Sequence, residues 1–341
     1  MALATGAETL TRWGIAHLSS TRFAAAVAVC VSSVACGGSP AQPAAFGDGT
    51  TQNSPASLTT FKVATWNIRS GMGIRGFTTT SWSSDTLNCT DASKPLNAWG
   101  MGLPQAELAR IRDDRSIVAF AVQEAWNCGN PSNVNSVLGF QTISRELNGT
   151  ALAARYGFAS PPTYTRISGQ DWLVGGAVCL DPSCSASMPM FSAHWTPPSN
   201  AFGAVAQATL DALGSQPTPH ILLGDLNVYR VDQWNPDVPC TGPDVPGRVD
   251  AIQRVEAAGY QDAWKATQAS EGWTGMASRA GCGAPHGNLF KRIDYVYTKG
   301  LRAVSTTRLA RAPAGGDSPS DHVILIAEVT TSGARAAPGS H

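Results

Sequence analysis

Apolar positions recur along this chain in two rhythms. Phe61-Lys62-Val63-Ala64-Thr65-Trp66 alternates, as a half-buried strand does. Ser116 to Val122 and Ile221-Leu222-Leu223-Gly224-Asp225 are almost unbroken apolar runs, which suit strands covered on both faces. Trp172 to Leu180 and Met188 to Trp195 read as a hairpin, and Lys291 to Thr298, Arg302 to Ala310 and His322 to Val329 as the last strands. Helical spacing runs over 104–114, where Pro104 opens the segment and Leu108 and Ile111 share a face. Ala201 to Leu213 is a second helix, and Val249 to Ala258, closed by Gly259, a third. Shorter helices are predicted at 132–138 and 144–155. No internal repeat or mid-chain linker breaks this alternation, so the pattern predicts one α/β domain over 59–330 with two packed sheets.

The ends read differently. Arg12 and Arg22 precede the small-residue apolar run Phe23 to Val31, too short to span a bilayer and shaped like a secretory signal. The run closes at Ser33-Val34-Ala35-Cys36-Gly37, which resembles a lipoprotein cleavage box with Ser33 in place of the usual Leu. Residues 1–36 are therefore expected to direct export, with Cys36 as a candidate lipid anchor and ordinary signal cleavage as the alternative. Residues 37–58 have a tether's composition, residues 70–100 that of a long loop, and 331–341 that of a disordered tail.

Composition adds two constraints. The formal net charge is zero over 341 residues, so no overall positive field announces nucleic acid, although a local groove can still be basic. Export makes the cysteines candidates for disulfides. Proximity favours Cys179–Cys184, and the remaining pairs would be Cys89–Cys128 and Cys240–Cys282, with free buried thiols as the alternative. No CxxC pair or close Cys/His cluster suggests zinc.

Several polar residues interrupt or end these strands. Asp294 stands in Arg292-Ile293-Asp294-Tyr295-Val296, where a charge needs a partner, and Asp321-His322 downstream could bring one. Asn67 follows the first strand, Glu124 the second, and Asp225 with Asn227 ends Ile221 to Gly224. Taken singly, Glu124 could cap a helix, Asp225-Leu226-Asn227 could be a turn, His194 could be structural and His322 a strand-end surface residue.

The ordered set Thr65-Trp66-Asn67-Ile68-Arg69-Ser70-Gly71, Gln123-Glu124, Ala193-His194-Trp195, Gly224-Asp225-Leu226-Asn227, Arg292-Ile293-Asp294-Tyr295-Val296 and Ser320-Asp321-His322 resembles the endonuclease/exonuclease/phosphatase superfamily. The resemblance covers about residues 60–330. It implies a four-layer α/β/β/α sandwich of two mixed sheets flanked by helices, and divalent-metal-dependent hydrolysis of phosphate esters. It further implies that Glu124, Asn67 and Asp321 hold Mg²⁺ or Mn²⁺, with Ca²⁺ a candidate structural ion. Asp225 would orient or deprotonate the attacking water and Asn227 would bond the phosphate. Asp294 would fix and charge the His322 ring. His194 would act as general acid or phosphate donor, and Arg69 could meet the substrate phosphate, a plain solvent-facing arginine being the alternative.

One departure stands out. The strand from Trp172 lacks the arginine or tyrosine expected near its start to bind phosphate, and Arg166 or Tyr164 are candidate substitutes. The stretch 265–290, with Trp273, Arg279, His286 and Lys291, is a candidate substrate rim. Among substrates the reading places nucleic acid first, a phospholipid head group second and a small phosphomonoester third; no apolar membrane-inserting hairpin supports the lipid. A non-catalytic surface binding protein is the rival from another class, and it predicts loss of metal or histidine groups that are in fact present. The protein is expected to act as a monomer.

Overall fold

The computed structural model describes residues 60–71, 102–126, 129–145, 149–196, 200–230, 246–276, 289–309 and 319–331. The expected signal, Cys36, the tether, nearly all of the 70–100 loop and the tail lie outside these residues, as do Cys89, Cys128, Cys240 and Cys282.

Two six-stranded mixed sheets form the centre. The first holds β1 (Thr60–Asn67), β2 (Ile117–Gln123), β3 (Gln141–Arg145), β4 (Thr150–Ala154), β13 (Arg302–Arg308) and β14 (Leu325–Thr330), in the order β13-β14-β1-β2-β4-β3. The second holds β5 (Thr163–Ser168), β6 (Asp171–Cys179), β7 (Ser187–His194), β8 (His220–Asp225), β9 (Gln261–Asp262) and β12 (Asp294–Lys299), in the order β5-β6-β7-β8-β12-β9. A small ribbon pairs β10 (Gly275–Met276) with β11 (Leu289–Lys291). Helices α1 (Gly102–Asp113) and α2 (Pro131–Leu138) belong to the first sheet's side. Helices α3 (Phe202–Gly214) and α4 (Pro246–Ala257) cover the second, and α5 (Ala263–Thr267) follows β9.

Three apolar layers define the sandwich. Phe61, Val63, Ala121, Met190, Ile221, Leu223 and Val296 pack between the sheets. Ala64, Trp66 and Phe120 face Leu108 and Ile111 of α1 and Val134 and Leu138 of α2. Phe191 and Leu222 face Phe202 and Val205 of α3 and Ile252 and Val255 of α4. The four-layer α/β/β/α expectation is therefore met.

The period of two in a strand now places the polar residues. Phe61 and Val63 face the inter-sheet core, so Asn67 falls on the same face two steps beyond Thr65. The same count carries Met188 and Met190 to His194, Ile221 and Leu223 to Asp225, and Val296 back to Asp294. All four sit at strand ends, and the parallel pairing of β1 with β2 and of β7 with β8 aligns those ends.

Most predicted elements are present, but 144–155 is not a helix. Of its described residues, 144–145 end β3 and 150–154 form β4, which Gly149 precedes with φ of +62°. Alanine favours a helix in isolation, yet Ala151, Leu152, Ala153 and Ala154 are all buried between β2 and β3, so sheet pairing overrides propensity. Helix α2 starts where its signals lie: the Asn130 side chain accepts from Asn133 N at 3.0 Å, and Gly139 ends it at φ of +66°. The expected Cys179–Cys184 disulfide is formed, and the Asp181 carboxylate in its turn accepts from Ser183 N at 2.9 Å and Ala186 N at 3.0 Å. Of the candidate rim 265–290, residues 265–267 close α5, capped by Asp262, while Arg279 and His286 lie outside the described residues.

Candidate active site

Asp225 is the hub. It ends β8 in register with His194 of β7 on one side and Asp294 of β12 on the other. It is 1% exposed, and its Oδ1 accepts from Asn227 N at 2.9 Å. Its Oδ2 accepts from Asn67 Nδ2 at 3.0 Å and faces the Nε2 atoms of His194 at 3.6 Å and His322 at 3.7 Å. Burial pushes its carboxyl pKa up, as does the Asp294 charge, while His322, His194 and the Asn67 amide act against the rise.

His322 is gripped from several directions. Its Nδ1 lies 2.8 Å from Asp294 Oδ2, and its backbone N donates to Ser320 Oγ at 3.2 Å. Ser320 Oγ donates to Asn67 O at 2.7 Å, and Trp66 Nε1 donates to His322 O at 3.1 Å. These bonds tie the segment before β14 to β1. Burial opposes charge on the ring, but Asp294 and then Asp225 outweigh it and raise the His322 pKa to about 10. With Asp294 on Nδ1, the Nε2–H points at the Asp225 side of the site.

Asn67 joins the two halves. Its Nδ2 donates to Glu124 Oε1 and to Asp225 Oδ2, each at 3.0 Å, while its Oδ1 accepts from Arg69 N at 2.9 Å. An amide with both protons on carboxylates positions those carboxylates. Below it, Thr65 Oγ1 donates to Gln123 Oε1 at 3.2 Å, and Gln123 Nε2 donates to Ser192 Oγ at 3.2 Å, so a buried polar rung links the sheets.

Backbone strain gathers at this end. Arg69, Ser70, Glu124 and Asn227 all adopt positive φ, between 47° and 59°. Each non-glycine residue there costs roughly 1–3 kcal/mol and persists where the surroundings hold it. The turn carries Glu124 off β2 toward Asn67, and Ser70 N donates to Glu124 O at 3.0 Å. Gly224 is also required: at φ of +147°, a Cβ would lie 1.9 Å from Ala193 O. Two buried atoms, Asp294 Oδ1 and His194 Nδ1, have no hydrogen-bond partner. Such atoms are expensive in a packed core and are retained where a site needs them.

The structure brings Asn67, Glu124, His194, Asp225, Asp294, Asp321 and His322 into one network, with Asp321 Oδ1 4.0 Å from His322 Nε2. Asn227 joins it through its backbone N on Asp225 Oδ1, and its side-chain Nδ2 donates to Trp195 O at 3.0 Å. Arg69 is half-buried on the turn after β1. Sequence reasoning missed Thr274, whose Oγ1 accepts from Ile293 N at 3.2 Å and Asp294 N at 3.1 Å. It also missed Ser320 as a strut. The dipeptide Ser320-Asp321 ahead of His322 was a visible signal; nothing marked Thr274.

Oxygen donors dominate here, as a hard cation requires. Glu124 and Asp321 are partly exposed carboxylates, suited to a divalent ion that keeps some water. A second group, Asp225, Asp294 and His322, has ligand atoms within 4.8 Å of one another. Its His322–Asp294 hydrogen bond already engages one atom of each of two members.

The sequence profile of the Endonuclease/Exonuclease/phosphatase family matches residues 64–322. The chain belongs to this family. Its members are phosphoesterase hydrolases, typically divalent-metal-dependent, and this protein is an enzyme of that kind. A family protein from Bacteroides thetaiotaomicron is similar in fold, with TM-score 0.53 and 16% identity over 81% of this chain and 99% of that one. D. rerio TDP2, solved with a single-strand DNA product, gives TM-score 0.51 and 12% identity over 80% and 99%. A mannosyl-6-phosphatase from Bacteroides thetaiotaomicron gives 0.50 and 16% over 79% and 99%. At these identities the likeness is one of fold. No curated protein sequence matches the chain significantly.

Proposed function

We propose that the protein is an exported phosphodiesterase that hydrolyses nucleic acid by in-line attack of water. The observation that carries the reading is the convergence of two imidazole Nε2 atoms and one amide on Asp225 Oδ2, with His322 braced by Asp294. An imidazolium and a carboxylate 3.7 Å apart are close without being hydrogen-bonded, so a water on Asp225 and a phosphate oxygen on His322 could lie side by side.

Roles follow from these positions. Asp225 orients the water and takes its proton, and its raised pKa makes it a better base than an exposed aspartate. His322, charged through Asp294, stabilises negative charge on the phosphoryl oxygens. His194 donates to the phosphate or the leaving oxygen. Asn67 is a positioning residue for Glu124 and Asp225. Glu124 and Asp321 would hold the divalent ion, Mg²⁺ or Mn²⁺, which when bound supplies charge neutralisation at the phosphate. Asn227 positions the loop through Trp195 O, and Arg69 contacts the substrate backbone.

Export is supported by the apolar run Phe23 to Val31 and the small residues before Cys36. The assay is hydrolysis of plasmid DNA, RNA, sphingomyelin and bis-p-nitrophenyl phosphate, with Mg²⁺ and with EDTA, alongside His322→Ala. Metal-dependent plasmid nicking lost in the variant supports the nuclease. Turnover of sphingomyelin alone refutes it in favour of a lipid head group.

A further inference from the structure

One flank of the site carries side chains that the hydrolytic centre does not use. Arg145 ends β3, Tyr164 lies on β5 and Trp172 is the second residue of β6. Tyr164 opposes Val174 and Arg166 opposes Trp172 in the antiparallel register. Val174 packs in the inter-sheet core, so these four residues share the inward face. Ile143 packs in the same core, which puts Arg145 on the inward face of β3. Leu173 opposes Ala193, so Trp172 lies at the end of the sandwich where β7 finishes in His194.

Arg145 spans the two sheets there. Its guanidinium carbon lies 4.4 Å from the Trp172 ring centroid and 5.5 Å from that of Tyr164. Tyr164 is 39% exposed, on an edge strand whose one buried residue is Ile167. Packing on Trp172 accounts for the arginine's pose but not for the open tyrosine ring beside it. Arg166 has its Nε on Gly169 O at 2.6 Å, so it braces the β5–β6 turn. The strand order β5-β6-β7-β8 sets this flank two to three strands from Asp225, about 10–15 Å at the usual strand spacing. That is the span of a few nucleotides at roughly 3.4 Å each along one strand.

We propose that Arg145, Tyr164 and Trp172 form a subsite for a nucleotide flanking the scissile phosphate on a single strand. A base stacks on the open face of Tyr164, Arg145 meets the backbone phosphate, and Trp172 holds Arg145 in place. Aromatic faces take any base, and a guanidinium needs only the backbone, so the subsite is sequence-tolerant. It also explains how a chain of zero net charge selects a polyanion: the cation is local and pre-oriented. The proposal rests on the phosphodiesterase reading for its substrate, but it makes a binding claim of its own.

The test is fluorescence anisotropy of a labelled single-stranded 12-mer with the full chain in EDTA, so that binding is read without turnover. Tyr164→Leu is expected to weaken binding about 5- to 150-fold, while Tyr164→Phe, which keeps the ring, stays within about 2-fold. Arg145→Gln is expected to lower the slope of log K against log salt by about 0.7, one phosphate contact on a single strand. Val304→Ser, at the other exposed large apolar residue among the described residues, serves as control. Equal affinity of Tyr164→Leu and wild type, or an unchanged salt slope in Arg145→Gln, overturns the proposal. Parallel turnover of bis-p-nitrophenyl phosphate separates the two claims. Turnover of this diester without oligonucleotide binding refutes the subsite and leaves the phosphodiesterase. Tyr164-dependent binding without turnover keeps the subsite and refutes the catalytic reading.

Discussion

Asp294 Oδ2 and His322 Nδ1 lie 2.8 Å apart across 28 residues of sequence, with Asp294 wholly buried and His322 8% exposed. The acid that opens β12 is therefore the partner that fixes one imidazole. Asp294→Asn keeps the shape but loses the charge that raises the His322 pKa. Its kcat on a phosphodiester is expected to fall by about 10²–10⁴-fold, with KM little changed. Steady-state rates at neutral pH measure this, and an undiminished kcat contradicts it.

The same pair makes stability depend on pH. The folded His322 pKa, about 10, lies above the ordinary histidine value of 6.5. The contribution of its charge is therefore complete below about pH 6.5 and is lost as pH rises toward 10. Wild type should lose urea resistance from pH 7 to pH 10 more steeply than His322→Gln. Parallel curves for the two proteins would remove the ion pair from the account.

Gly224 is the second constraint on Asp225. A methyl group there would meet Ala193 O, and the backbone sits at φ of +147°. Gly224→Ala is expected to cost at least about 2 kcal/mol from strain and displacement of β7. Denaturant unfolding checks this, and a stability equal to wild type contradicts the geometry.

Glu124 and Asp321 are the two partly exposed carboxylates of the network and the proposed ligands of a divalent ion. Added Mg²⁺ or Mn²⁺ is expected to raise Tm in wild type, by about 2.7 kcal/mol of stability at a hundredfold excess over Kd. Glu124→Gln should show a smaller shift. An identical metal response in the two proteins would move the ion away from Glu124.

Much of this was legible in the sequence because the site uses strand ends. The strands themselves showed in the apolar runs, and the site residues in the ordered motifs at their ends; only the structure, with Phe61 and Val63 and Ile221 and Leu223 facing inward, shows that strand parity puts Asn67 and Asp225 on the inter-sheet face. The Ala-rich segment 151–154 misled because its strand identity comes from neighbours on both sides. Thr274 was invisible because its role, holding the Asp294 backbone, exists only once β12 folds beside it. The edge strand β5 has almost no buried residues and so gave no periodic signal. Asn227, at a φ of 53°, is held by one amide hydrogen bond to Trp195 O, a contact that no sequence pattern announced.

The most direct measurement compares wild type with Asp225→Asn on bis-p-nitrophenyl phosphate and on supercoiled plasmid, each with Mg²⁺ and with EDTA. The account predicts turnover of both substrates that requires the metal and falls by at least about 10²-fold in the variant. Turnover that survives EDTA, or that Asp225→Asn leaves intact, would contradict the placement of catalysis at the junction of β1, β7, β8 and β12.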